Sequence, residues 1–506
     1  MCGDFNTRGS SLCVQCIITF NFWTSFTVKP SNMEKFEGYI FTALCSSNFL
    51  ISCLLFSAVT REQRLPYMDE VFHVPQAQKY CQGRFNEWDP MITTLPGLYL
   101  ITVGVIKPVV WLADLTGAVV CSTAMLRFVN LLFNCGILYL LYLLICKLHL
   151  KEKTRTTSRR ILSALSLSTF PVLYFFNFLY YTDAGSTFFI LFTYLMTLYG
   201  CHKASALLGV CSVLFRQTNI IWVAFCAGTL VAAKMDEAWR VEHSKKRDEK
   251  SPPSQVPLTL SGARKIILFT MEFLTSPSNV KSVLMVAWPY ALVGLGFVGF
   301  GVLNDGIVVG DRTSHEACLN FPQLFYFLSF TLFFSLPVSL CHQRVLQFLQ
   351  SLKKQPLLFL FITGVSLLLV WNFTFVHKYL LADNRHFPFY VWRKLYQSHE
   401  LVRFLLVPVY VFAGWNFLDS LRSRSLFWSL AFLACLLAAT VPQKLLEFRY
   451  FIVPYLMYRL HMPLPSLPRL GVEFALYTVV NAATIYIFIT KTFHWPDSPA
   501  TQRFMW

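Results

Sequence analysis

Gly97-Leu98-Tyr99-Leu100-Ile101-Thr102-Val103-Gly104-Val105-Ile106-Lys107-Pro108-Val109-Val110-Trp111-Leu112-Ala113-Asp114-Leu115 decides how this chain threads a membrane. The run is apolar, but Lys107-Pro108 interrupts it. If it crosses a bilayer, the basic connection Lys147 to Arg160 lies on the same side as residues 60–95. If it lies at the interface instead, residues 60–125 form one long loop on one side. Connections 147–160, 234–281 and 341–355 then fall together on the other side. Short loops rich in Lys and Arg stay cytoplasmic, and only the second arrangement obeys that rule throughout. It is therefore the expected one, with 60–125 lumenal and 234–281 cytosolic. A long loop that does not span is also a functional signal.

The composition agrees with a polytopic membrane protein. The chain is 55% hydrophobic and 14% charged, against about 25% charged in soluble domains. Apolar runs are expected as spans at 38–59, 126–146, 161–180, 184–200, 205–215, 219–233, 283–303, 318–340, 356–376, 401–418, 426–442, 450–460 and 472–490. The reading is all-α, with about 11–14 transmembrane helices. The net charge of +17 sits largely in the connections between spans, so it orients the chain and gives no nucleic-acid partner. The fifteen cysteines include no CxxC, and no metal site is expected. Cys81 and Cys318 both face the lumen in this arrangement and are a candidate pair. Residues 1–32 read as an N-terminal extension, and 33–506 as one polytopic domain.

On the lumenal side the arrangement gathers the polar motifs. First is Tyr67-Met68-Asp69-Glu70-Val71-Phe72-His73, an adjacent acid pair in a chain with only 26 acidic residues. Ionisable groups at a membrane edge are functional candidates. Then come Tyr180-Tyr181-Thr182-Asp183, Arg216-Gln217-Thr218-Asn219, Gly310 to His315, His377 to His386, and Glu447-Phe448-Arg449-Tyr450. No internal repeat is evident, which argues against an inverted-repeat transporter.

The motifs also carry a resemblance. The segment from Tyr67 through Gln76-Ala77-Gln78-Lys79-Tyr80-Cys81 to Trp88-Asp89-Pro90-Met91-Ile92-Thr93-Thr94-Leu95-Pro96-Gly97 resembles the endoplasmic-reticulum α-1,2-glucosyltransferase family that adds the terminal glucose to the lipid-linked N-glycan precursor. Phe175 to Thr182, Phe215 to Asn219, Tyr379 to His386, Arg449-Tyr450-Phe451-Ile452 and Arg503-Phe504-Met505-Trp506 extend the likeness in order from about residue 33 to the end. The resemblance implies a GT-C-type glycosyltransferase of the endoplasmic-reticulum membrane. It implies dolichyl-phosphate-glucose as donor and a diglucosylated dolichyl-diphosphate oligosaccharide as acceptor, with the bilayer as surroundings and no cofactor. Other readings are a lipid-linked-sugar glycosyltransferase acting at another step, or a transporter or channel-associated protein.

A β-linked donor and an α-linked product suit one direct displacement, which needs one general base. The phosphate leaving group is a weak base and needs no second acid, unlike the leaving groups of glycosidases. Asp69 is the expected base and Glu70 the runner-up. Arg216, Lys378, Arg385 and His386 are candidate partners for the donor phosphate, where basic groups stabilise developing charge. Asp383 is expected to orient Arg385. His73 reads equally as a sugar contact or as packing beside Phe72. Trp88 is a candidate sugar platform. Asp183, Asp311, Arg312 and His315 are weaker candidates.

Overall fold

Among the described residues, eight helices are long and apolar enough to cross a membrane: Phe36–Glu62, Thr123–Leu148, Gln217–Glu242, Pro277–Leu303, Pro322–Ser339, Pro356–Phe373, Val402–Ser420 and Leu467–Thr490. The computed structural model to which they belong describes residues 32–112, 121–150, 157–245, 260–312 and 317–506. The expected extension 1–32 lies outside these residues except for Asn32, and Thr313 to Glu316, with His315, lies outside as well. The chain is an all-α polytopic membrane protein. One small antiparallel hairpin, β1 (Thr492–Trp495) with β2 (Ser498–Arg503), departs from the all-α reading.

Three shorter apolar helices accompany the eight: Gly97–Leu112, His202–Phe215 and Leu426–Thr440. At about 1.5 Å per residue, a helix of this length falls short of a hydrocarbon core about 30 Å thick. Gly97–Leu112 packs against Glu70–Cys81 and His202–Phe215 through buried Leu98, Tyr99, Thr102, Val103 and Ile106.

Two expected spans fold differently. Residues 161–180 are not one helix. The helix Thr157–Ser168 stops, and a short one, Pro171–Phe176, restarts with proline in its first turn, where the missing N–H costs nothing. Residues 450–460 form a 3₁₀ turn, Phe448–Phe451, and a ten-residue helix, Ile452–His461. That helix lies inside the protein: Phe170 stacks on Tyr455 at 4.6 Å, and Phe417 on Tyr458 at 4.3 Å. In both segments apolar character reflects a protein interior and not lipid, a distinction composition cannot make. The connection expected at 234–281 is largely helical where described, with one helix running to Lys245 and another over Leu260–Thr275.

The cysteine pairing is corrected. Cys81 is bonded to Cys121, with Cα atoms 6.6 Å apart across 40 residues, and Cys318 is a free thiol. The bridge returns the 82–120 excursion to the point where it left. Beside it, the loop after Asn304 is clamped onto Pro90–Ile92 by Gly310. Its φ is +75°, and a Cβ there would come within 2.4 Å of the Pro90 and Ile92 carbonyls.

Non-reducing peptide mapping is expected to recover Cys81 linked to Cys121 and Cys318 open to alkylation. Cys121→Ser is expected to cost about 2–5 kcal/mol of stability, read as a lowered thermal midpoint in detergent.

Candidate active site at the Asp69 turn

The Asp69 turn is built where the first span ends. Met68 has a left-handed backbone, φ +55°, which is uncommon for a side chain of its kind. The turn it makes sets Asp69 at the N-terminal boundary of the helix Glu70–Cys81. Its carboxylate does not cap that helix. Asp69 is instead held through its backbone N–H, which donates to Tyr181 Oη at 3.1 Å. The carboxylate stays 44% exposed, with Arg449 Nη1 at 3.3 Å from Oδ2.

Glu70, the runner-up for the base, has the opposite surroundings. Its side chain and that of Arg127 are both 0% exposed. Oε1 accepts from Arg127 Nε at 2.8 Å and from the Tyr180 N–H at 2.6 Å. Oε2 accepts from Arg127 Nη2 and from the Tyr67 N–H at 3.0 Å. Arg127 also donates to the Gln63 and Leu65 carbonyls. A carboxylate so fully engaged has no lone pair to offer a substrate.

Arg449, on the 3₁₀ turn Phe448–Phe451, is the hub of the site. It pairs with Asp69, with Asp183 at 3.6 Å and, more closely, with Glu447. Its guanidinium lies over the rings of Tyr181 and Phe176, at 5.0 and 5.1 Å. Asp183, nearly sealed from solvent, bridges to Arg216 at 3.1 Å. Arg216 also donates to Thr182 Oγ1 at 3.1 Å. A cavity opens beside this chain, lined by Asp183, Arg216, Asn219, Gln443, Arg449 and Tyr450.

The electrostatics follow from this packing. Partial withdrawal from water pushes the Asp69 carboxyl upward, but Arg449, His73 and His386 together outweigh it and hold it below the usual range. Burial likewise works against the Arg449 charge, and Glu447, Asp69 and Asp183 together overcome it. His73 is buried and its pKa falls to about 4, so it is neutral near pH 7. Its Nδ1 meets Tyr99 Oη at 2.5 Å, which makes it a packed, hydrogen-bonded group.

The remaining candidates divide into those brought to the site and those left outside it. Asp383 grips Arg385 with both oxygens, at 2.8 and 2.7 Å. Arg385 also donates to Gln502 at 3.1 Å and lies on the Trp495 ring at 4.7 Å. His386 Nδ1 is 2.6 Å from the Trp506 carbonyl, so that nitrogen must carry the proton. Lys378 is exposed over the Tyr379 ring, at 5.2 Å, and does not join the cluster. Trp88 packs edge-on against Tyr99, with its buried indole N–H unbonded. Arg312 is spent on the Asn304 and Asp305 carbonyls.

Two central residues went unmarked as site residues in the sequence reading. Arg449 stood in a quoted motif without a role. Arg127 is a lone charge inside the apolar run Met125–Phe133. An ionisable group within the first turns of an apolar span calls for a partner, and that is the available signal.

The fold and site together define a polytopic membrane protein with an acid–arginine cluster at one edge of its helical bundle. The chain belongs to the DIE2/ALG10 family, whose profile matches residues 63–460. A Mus musculus protein named Dol-P-Glc:Glc(2)Man(9)GlcNAc(2)-PP-Dol alpha-1,2-glucosyltransferase is 58% identical over 94% of this chain and 100% of its own length. A Homo sapiens protein of the same name is 57% identical over the same shares. One from Arabidopsis thaliana is 32% identical over 87% of this chain and 95% of its own length.

Glu70→Gln or Arg127→Met, each stranding a buried partner, is expected to cost about 3–5 kcal/mol. Replacing both residues with methionine is expected to be milder than either single change. Thermal midpoints of the three detergent-purified variants test the ordering.

Proposed function

We propose that the protein transfers the terminal glucose, in α-1,2 linkage, from dolichyl-phosphate-glucose to the diglucosylated dolichyl-diphosphate oligosaccharide. The near-full-length similarity to relatives carrying that name supports the substrates. The observation that carries the mechanism is the division between the two adjacent acids. Glu70 is sealed and fully hydrogen-bonded, whereas Asp69 is open and faces a buried arginine.

The reaction is a single displacement. The acceptor 2-hydroxyl oxygen attacks the anomeric carbon, the carbon–oxygen bond to phosphate breaks, and dolichyl phosphate departs with the bonding pair. Asp69 takes the hydroxyl proton. A carboxylate held below its usual range is a weak base, so the proton moves late, once the leaving bond has largely opened. Arg449 and Arg216 receive the developing phosphate charge in a preformed setting. The Asp383–Arg385 pair and His386 approach Asp69 from a second loop, and His386 already acts on the Asp69 charge. Lys378 is assigned no part. No metal is required, because the Arg449 guanidinium occupies the centre that Asp69, Asp183 and Glu447 surround.

The reaction side is the lumen of the endoplasmic reticulum. The Cys81–Cys121 bridge supports this, since such bonds persist in oxidising compartments. It also closes the 82–120 excursion on one side of the membrane, as the interfacial reading of 97–115 requires. The basic connections then face the cytosol.

Asp69→Asn is expected to lower turnover about 10²–10⁴-fold while the thermal midpoint is retained. Transfer from synthetic dolichyl-phosphate-glucose to purified acceptor measures it, and a near-normal rate would defeat the assignment. Chelator is expected to leave the wild-type rate unchanged. The base must be ionised, so activity is present above its pKa and lost as pH falls through it. With Asp69 held low, kcat/KM is expected to stay flat down to about pH 5. Arg449→Met removes the main stabilising charge and leaves burial dominant, so the acid limb is expected to move up into that window.

A further inference from the structure

The last four residues of the sequence, Arg503-Phe504-Met505-Trp506, interleave with three of the segments that form the site: the Asp69 turn, the loop at 383–386 and the Arg449 turn. Tyr67, two residues before Asp69, binds the Arg503 backbone twice. Its hydroxyl donates to the Arg503 carbonyl at 2.7 Å and accepts from the Arg503 N–H at 2.7 Å. The Arg503 guanidinium donates to Gln63 Oε1 and to the carbonyls of Glu62, Phe488 and Ile489, at 2.8–2.9 Å. Those bonds tie the end of the first span to the end of the last.

Met505, fully buried, bridges the loop that holds Arg385 and His386. Its N–H donates to the Arg385 carbonyl and its carbonyl accepts from the Phe387 N–H, both at 2.9 Å. The Trp506 carbonyl takes the proton of His386 Nδ1 at 2.6 Å. The Trp506 ring packs on Phe387 at 5.2 Å and on Phe448, the neighbour of Arg449, at 6.0 Å. One short segment thus touches the carrier of the base, the carrier of the His386 imidazole and the carrier of the arginine hub. All three carriers are turns or loops, and none has a regular hydrogen-bond ladder to hold it against the others.

We propose that Arg503–Trp506 is a positioning element that sets the Asp69 turn, the Asp383–His386 loop and the Arg449 turn in register for glucose transfer. Met505 and Trp506 act through His386 and Phe448, and Tyr67 acts through Asp69. A misplacement of about 1 Å between reacting groups can cost roughly 100-fold in rate. The segment therefore controls turnover more than binding of the lipid substrates.

The inference rests on the proposed reaction, and the test separates the two. Full-length Trp506→Ala, Trp506→Phe and Tyr67→Phe are purified in detergent and assayed for transfer from dolichyl-phosphate-glucose. Thermal midpoints and Cys81–Cys121 formation are recorded alongside. Trp506→Ala is expected to lower kcat about 100-fold with donor KM within about twofold of wild type. Trp506→Phe, which keeps an aromatic ring on Phe387 and Phe448, is expected to recover most of that loss. Tyr67→Phe, which removes only a hydroxyl, is expected to lower kcat about tenfold. Wild-type rates for Trp506→Ala and Tyr67→Phe would overturn the proposal. So would Trp506→Phe being as slow as Trp506→Ala, with matching losses of thermal midpoint, since that marks a purely structural residue. Wild-type protein that transfers no glucose would defeat the reaction itself.

Discussion

Everything about the site depends on the buried ion pair between Glu70 and Arg127. Two unit charges withdrawn from water are costly unless their hydrogen-bonding capacity is met. Here it is met: two backbone N–H groups and the arginine fork satisfy Glu70, and two carbonyls take further donors of Arg127. The demand for complete satisfaction is what makes the pair informative. It can be met only if the end of the first span, the start of the helix Glu70–Cys81, the helix Thr123–Leu148 and the Tyr180 turn all meet at one point. Asp69 is the next residue along, and its direction follows from that junction.

The charge pattern around Asp69 is then a matter of unequal shielding. Asp69, Asp183 and Glu447 surround a single guanidinium, and Asp183 hands its second contact to Arg216. Asp183 and Glu447 are buried, while Asp69 is substantially open. A substrate hydroxyl can approach only the open carboxylate. An incoming phosphate would share the attraction of Arg449, which lessens its hold on Asp69 just as the proton must be accepted. On the proposed reaction, base and phosphate site would act as one electrostatic unit.

Much of this was legible in the chain itself, for identifiable reasons. An acid pair beside the first apolar run, in a protein poor in acids, marks a candidate site because charge near a bilayer is expensive without a purpose. The Asp383–Arg385 association is a contact between near neighbours and could be expected. The Cys81–Cys318 pairing was wrong because a shared side says nothing about distance, and Cys121 in fact lies against Cys81. Lys378 and Trp88 are candidates from the motifs at 377–386 and 67–89, and a motif does not say what a side chain touches. One projects to solvent and the other packs on Tyr99. The spans at 161–180 and 450–460 were misread because residues buried in a helical bundle are as apolar as residues that face lipid.

The sequence alone determined the membrane class and the family, because hydropathy and ordered motifs are linear properties. It also singled out two adjacent acids as candidates for the base. Only the tertiary structure distinguished their surroundings, one side chain sealed and the other 44% exposed. Asp69 and Glu70 carry the same carboxylate at adjacent positions, and what separates them is what distant parts of the chain bring to each. Arg127 comes from 57 positions away and Arg449 from 380. The first, with the Tyr67 and Tyr180 N–H groups, fills the hydrogen-bonding capacity of Glu70, and the second pairs with an Asp69 carboxylate that stays 44% exposed.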